Sequence, residues 1–185
     1  KRLRHRIEHV QVLDPLDVSR FAQAGIIASM QPVHCTSDMH AAERWWGERA
    51  AWAYPWRALL DSGARLAFGS DAPIETLQAL AGIHAAVTRT TQQGDPPGGW
   101  RPQHRIAIRE ALEAYTSGPA FASSREHELG TLASGNAADL IVLDRDPHLV
   151  EPGDLPGIAI RATMIEGVWV WQAPDVDLGG PRHTG

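Results

Sequence analysis

The sequence predicts an α/β fold in which parallel strands are joined by crossover helices and a small sheet follows them. Three observations carry this. Short apolar, β-branched runs alternate with segments of helical period over the first two thirds of the chain. Each of those runs ends in polar residues, and from Leu129 onward the pattern changes to short strands and turns.

Residues 4–13, RHRIEHVQVL, alternate, with Ile7, Val10 and Val12 among polar neighbours, which predicts a strand. Asp14 then serves as N-cap, Pro15 as the first helical residue and Asp17 as a first-turn acid. Val18, Phe21 and Ala22 share one face before Gly25 stops the helix. Residues 26–30 form a second strand closed by Pro32. Residues 34–62 hold Trp45, Trp46, Trp52 and Trp56 and read as a structured excursion whose tryptophans pack. Its first half is a loop, and its second half is a helix ending at Gly63. Arg65 to Gly69 is the third strand, followed at once by Ser70-Asp71-Ala72-Pro73.

Leu77, Leu80, Ile83 and Val87 fall close to a 3.6-residue period and predict an amphipathic helix. Residues 92–102, with Pro96-Pro97-Gly98-Gly99, exclude regular structure. Ile108, Ala111, Leu112 and Tyr115 mark another helix; Ala107 stands where a capping hydroxyl is expected, at a cost of about 1 kcal/mol. Beyond the Gly135-Asn136 turn, Leu140 to Leu143 reads as a buried strand between Asp139 and Asp144. Thr163 to Trp171 reads as a hairpin about Glu166-Gly167, and the chain frays from Pro174.

Composition excludes several classes. The 185 residues carry 17 basic and 22 acidic side chains, a net charge of −5, which leaves no basic surface for nucleic acid or for an anionic membrane. No apolar run approaches the ~20 residues that cross a bilayer. Cys35 is the only cysteine, so no internal disulfide and no cysteine-only metal site can form, in keeping with a reducing, cytoplasmic setting. The chain opens KRLRHR with neither methionine nor an apolar stretch, which reads as a cut start without a secretory signal.

Polar side chains at the carboxyl ends of parallel strands converge on one mouth. Here those ends carry Glu8-His9, Gln31 to His34, and Ser70-Asp71. Imidazole and carboxylate from different strands suit a divalent metal of zinc type, and a carboxylate beside it can take a proton from bound water. From spacing alone His9 is either a ligand or a hydrogen-bonded rim residue, and Asp71 either acts in chemistry or caps the next helix. His34 contacts a pocket or bonds within its loop. Glu8 points to the face opposite His9, and Cys35 has no base beside it.

The segments IEHVQ (7–11), SMQPVHCTSD (29–38) and LAFGSDAPIE (66–75), in that order, resemble the last three barrel strands of the amidohydrolase superfamily. The likeness is to the amidohydrolase 3, YtcJ-like branch that includes N-substituted formamide deformylases. SGNAADLIVLDRDP (134–147) and ATMIEGVWVW (162–171) are similar to that family's C-terminal return into a small β-sandwich, so the resemblance runs from about residue 4 to about residue 172.

The resemblance implies that residues 1–128 are the last three βα units of a (β/α)8 TIM-like barrel, residues 129–173 a β-sandwich segment and residues 174–185 a flexible tail. It implies a divalent metal, zinc by family habit, as one or two ions. His9 would be a metal ligand. Asp71 would touch metal, act as general base toward water and then return the proton to the leaving amine. His34, Ser37 and Asp38 would line the substrate pocket from the loop after the seventh barrel strand. The implied reaction is hydrolysis of an amide or other non-peptide C–N bond in a small molecule, with no nucleic acid or membrane partner and with homo-oligomers left open. The family's His-x-His pair, its strand-four bridge and its strand-five histidine have no counterpart here, so the isolated chain is expected to be inactive. The competing expectation is a noncatalytic assembly module whose open strand edges pair with another polypeptide. An open-sheet binding domain is disfavoured because no G-x-G-x-x-G loop follows a strand.

Overall fold

A computed structural model describes residues 3–179. Three short strands, β1 (Arg6–Glu8), β2 (Ile27–Met30) and β3 (Arg65–Phe68), form a parallel sheet in the order β1-β2-β3. Their register is level: Ile7 lies beside Ala28 and Ala28 beside Leu66, while Met30 lies beside Phe68. All three strands therefore stop along one edge, and the polar residues that follow them leave the sheet together.

The first strand is shorter than its alternation predicts. His9 (φ 68°) and Val10 (φ 42°) are left-handed, which ends the pleat after Glu8, and Val12 keeps only a single antiparallel bridge to Ala53. A left-handed β-branched residue costs roughly 1–2 kcal/mol, and here burial of the Val10 side chain offsets it. The first helix follows its sequence signals. Asp14 accepts from the Leu16 amide at 2.9 Å, a 3-10 turn spans Pro15–Asp17, and α1 (Val18–Ala24) ends at left-handed Gly25.

The predicted loop after β2 is instead a fifteen-residue helix, α2 (Pro32–Trp46). Pro32 opens it rather than merely closing the strand, as a first-turn proline can. Its buried stripe of Cys35, Met39 and Ala42 has helical spacing, but small or weakly apolar residues among polar ones hide it in the sequence. The short α3 (Trp56–Asp61) follows. Of the four tryptophans expected to pack, Trp56 is fully buried, Trp46 and Trp52 are half-buried, and Trp45 is exposed.

The next helix, α4 (Ala79–Thr88), starts later than predicted, and Leu77 lies outside it, 80% exposed. It is not amphipathic: every residue from Leu80 to Ala86 is buried, because α2, α5 (Ile108–Tyr115) and the 3-10 turn Pro152–Gly157 surround it. Gly82 permits this packing. A Cβ there would stand 1.8 Å from the Tyr115 hydroxyl oxygen. At the start of α5 the missing capping hydroxyl is partly replaced, since Glu110 accepts from the Ala107 amide at 2.7 Å and is held by Arg57. A sixth helix, α6 (Ser117–Ala122), was not anticipated, with Pro119 disguising it; Gly118 lies so close to the Leu66 carbonyl that a Cβ would sit 2.3 Å from its oxygen.

Arg89, left-handed at the end of α4, is completely buried and donates to the carbonyls of Trp100 (2.5 Å), Tyr54 (2.9 Å) and Ala53 (3.0 Å). Its guanidinium carbon lies 4.8 Å from the Trp56 ring centroid and 5.4 Å from that of Trp100. Burial lowers its pKa, yet a guanidinium keeps its charge at any ordinary pH.

The second sheet contains β4 (Leu140–Leu143), β5 (Ile160–Ile165) and β6 (Val168–Gln172), antiparallel and in that order, with the predicted hairpin turn at Glu166-Gly167. The strand read as buried is only half-covered. The row Val142–Ala162–Gln172 includes fully buried Ala162, while in the adjacent row Ile141–Thr163–Trp171 the two outer residues are 48% and 47% exposed. An unbroken apolar run suggests two covered faces, and here period-two alternation leaves one row in solvent. Of the tail expected to fray, Asp175 pairs with Arg161 and the Val176 amide donates to Ala173; residues 180–185 lie outside the described residues.

Two substitutions test this packing. Gly82→Ala should lower the unfolding free energy by about 1–3 kcal/mol through overpacking, and adding Tyr115→Phe should recover part of the loss in urea titrations. Arg89→Met should cost about 3 kcal/mol or more, since it strands buried carbonyls, read as a lower urea midpoint.

Candidate metal centre

The site is built where the strands stop. The His9 amide donates to the Ser29 carbonyl at 2.7 Å, which continues the β1–β2 ladder by one bond before the chain turns away. The Gly69 amide does the same to Met30 across β2–β3 at 3.1 Å. Gln31 follows β2 directly, is buried and precedes α2, and its Oε1 lies 2.9 Å from His9 Nδ1. His34 occupies the first turn of α2, its amide donating to the Gln31 carbonyl at 3.1 Å. Its ring stacks on that of His9 with centroids 5.7 Å apart and an interplanar angle of 16°.

Asp71 stands beyond β3 in a left-handed conformation (φ 57°), its carbonyl accepting from the Ile74 amide, and its side chain is 39% exposed. Its Oδ2 is 3.8 Å from His34 Nε2. One ligand atom from each of His9, His34 and Asp71 lies within 4.8 Å of the others.

A zinc ion with ligands at 2.0–2.2 Å places its tetrahedral donors about 3.4 Å apart. The His34–Asp71 pair is near that spacing, and the widest pair that 4.8 Å allows would need to close by about 1.4 Å. His34 Nε2 is buried and has no hydrogen-bond partner among the described residues. An orphaned buried nitrogen costs on the order of 1–3 kcal/mol, and a cation or a ligand placed between these three groups would satisfy it. Two imidazoles and a carboxylate are also a zinc-type donor set. The residues fit a metal.

The sequence pointed to His9, His34 and Asp71, and the structure brings these three together. Ser37 and Asp38 are not in the cluster, and the pocket loop expected to carry them is α2. Ser37 Oγ donates to Glu75 at 2.6 Å, while Asp38 accepts from the Tyr54 hydroxyl at 2.6 Å and from Gln11 Nε2 at 3.1 Å. Burial, reinforced by the bond to Asp38, raises the Tyr54 phenol well above its ordinary pKa. Asp71 does not cap α4, which begins at Ala79. Glu8 is exposed and bound to Arg6.

Sequence reasoning noted Gln31 only as part of a polar strand end, and it missed Tyr54 and Gln11. Gln11 lies within the IEHVQ segment, whereas nothing in the sequence marks Tyr54. A cleft of about 830 Å³ opens at the amino ends of the strands and holds none of the cluster. There Arg4 pairs with Glu126, pulling that carboxyl down to about 2, and Arg4 and Arg65 both stack on Phe121.

Imidazole and carboxylate side chains gathered at the carboxyl ends of parallel strands make a candidate metal centre, and residues 1–171 match the amidohydrolase family, to which the chain belongs. It is 34% identical over 168 residues to the putative amidohydrolase YtcJ of Bacillus subtilis (strain 168), a match covering 90% of this chain and 32% of that protein. It is 33% identical over 165 residues to the N-substituted formamide deformylase of Arthrobacter pascens, covering 88% and 30%. Among solved structures, an uncharacterized metal-dependent hydrolase from Pyrococcus horikoshii OT3 superposes with a TM-score of 0.70 at 33% identity, covering 80% of this chain and 30% of that one. The likeness to the YtcJ-like branch is thus borne out, and the chain spans about a third of the length of these relatives.

Cys35 lies beside this site but is fully buried, and burial pushes its thiol up to about 12. A raised pKa depletes the thiolate at neutral pH. Ellman's reagent at pH 8 should therefore leave Cys35 unmodified in the folded protein and titrate it fully in denaturant.

Proposed function

We propose that this chain is the C-terminal part of a metal-dependent amidohydrolase that cleaves an amide or other non-peptide C–N bond in a small molecule. The observation that carries the reading is the convergence of His9, His34 and Asp71 from three successive strand ends around one orphaned ring nitrogen. On this reading β1, β2 and β3 are the last three staves of a (β/α)8 barrel within residues 1–128, and residues 129–173 belong to a β-sandwich. Sequential neighbours in a parallel sheet with level ends support that geometry, as does the likeness to the Pyrococcus hydrolase.

His9 and Asp71 would hold the metal, with zinc favoured by the donor set. When bound, such an ion lowers the pKa of water from 15.7 to about 7 and polarises the scissile carbonyl. Asp71, the more exposed member of the cluster, accepts the proton of the attacking water at a carboxylate oxygen and delivers it to the leaving amine. His34 Nε2 faces the same space from a buried position and contacts the substrate. Two side chains leave the ion short of a full ligand set, so turnover belongs to the full-length protein, whose other strands would complete it. The formamide deformylase relative makes N-substituted formamides the first substrates to try.

In the full-length protein Asp71→Asn should lower kcat by roughly 10²–10⁴ without moving the unfolding midpoint; near-normal turnover would remove Asp71 from the chemistry. His9→Ala should reduce zinc per protein in elemental analysis, and an unchanged stoichiometry would end the ligand assignment. His34→Gln should raise KM while leaving bound zinc constant.

A further inference from the structure

Resting on the metal-centre reading, we infer that Gln31 is the positioning residue for His9: its carboxamide oxygen holds the ring proton on Nδ1 and so keeps Nε2 free as the ligand atom. The side-chain oxygen of glutamine can only accept a hydrogen bond, so the 2.9 Å contact requires Nδ1 to donate. A neutral imidazole carries one N–H, and the lone pair is then on Nε2.

The backbone that carries the carboxamide is itself restrained. Gln31 is buried, with φ −123° and ψ 101°, the extended conformation that a following proline enforces. The same residue places the second imidazole, because its carbonyl accepts the His34 amide at 3.1 Å. One strand end therefore bonds both members of the stacked pair, the first at its ring and the second at its backbone amide. His9 has particular need of such a restraint. Its left-handed backbone (φ 68°) lies beyond the regular strand, where sheet geometry no longer dictates where the ring points. Partners that orient a metal-binding histidine in this way typically account for 10–100-fold in metal affinity.

The test uses the full-length protein with Gln31→Leu, which removes the acceptor, Gln31→Met, which keeps the unbranched shape without it, and Gln31→Glu, which retains it. Zinc affinity is read by competition with a chelator. The His9 tautomer is read in the metal-free protein from long-range ¹⁵N–¹H correlations on ¹⁵N-histidine-labelled samples. Gln31→Leu and Gln31→Met should each weaken zinc roughly 10–100-fold and move His9 toward the Nε2–H tautomer, whereas Gln31→Glu should preserve Nδ1–H and most of the affinity. Zinc affinity within twofold of wild type in folded Gln31→Met, or weakened affinity with an unaltered tautomer, would overturn the proposal. Should His9→Ala leave zinc affinity intact, the metal-centre reading fails instead. The tautomer, measured without metal, would still decide whether Gln31 sets the ring.

Discussion

Level termination of three parallel strands is the constraint on which the site depends. Because Met30 and Phe68 are register partners and His9 makes the last ladder bond to Ser29, residues as distant in sequence as His9 and Asp71 leave the sheet as neighbours. A one-residue slip would send each side chain to the other face of its strand and disperse the cluster. The register is held from below by close helix contacts such as Gly118 against the Leu66 carbonyl and by the edge-on contacts of Phe68 with Trp56 and Tyr115. The chemistry above the sheet and the packing beneath it are one structural problem.

The same edge concentrates backbone strain. His9, Val10 and Asp71 are all left-handed, and residues held in such regions persist only where their surroundings over-determine them. Each has an anchor here. The Val10 side chain is buried, the His9 ring is held by Gln31, and the Asp71 carbonyl accepts from the Ile74 amide. Asp71 remains open to solvent on its carboxylate side while its backbone is fixed.

Much of this was legible in the sequence. Strand ends, the Asp14-Pro15 start, the Gly25 stop and the hairpin at Glu166-Gly167 are local chemistry, and each is found where its residues put it. What was hidden depends on tertiary surroundings. The α2 stripe of cysteine, methionine and alanine is too weakly apolar to stand out, and the period in α4 could not reveal a helix covered on every side. In the site, His9, His34 and Asp71 were readable from their strand-end positions, but the direction of the Asp38 side chain was not. It turns to Tyr54 and Gln11 because α2 is a helix, and in a loop that direction would have been unconstrained. Tyr54 and Arg89 had no local signature at all.

Arg89 links places that the chain separates widely. Its guanidinium binds the carbonyls of residues 53 and 54 on one side and of residue 100 on the other, and it cannot shed its charge to relieve a lost contact. If either loop opened alone, a permanent cation would be left facing an incomplete set of oxygens in an apolar interior. The two loops are therefore expected to open together, as one cooperative unit in hydrogen exchange. Tyr54, whose hydroxyl binds Asp38 on the helix that carries His34, brings that unit to the doorstep of the candidate metal centre.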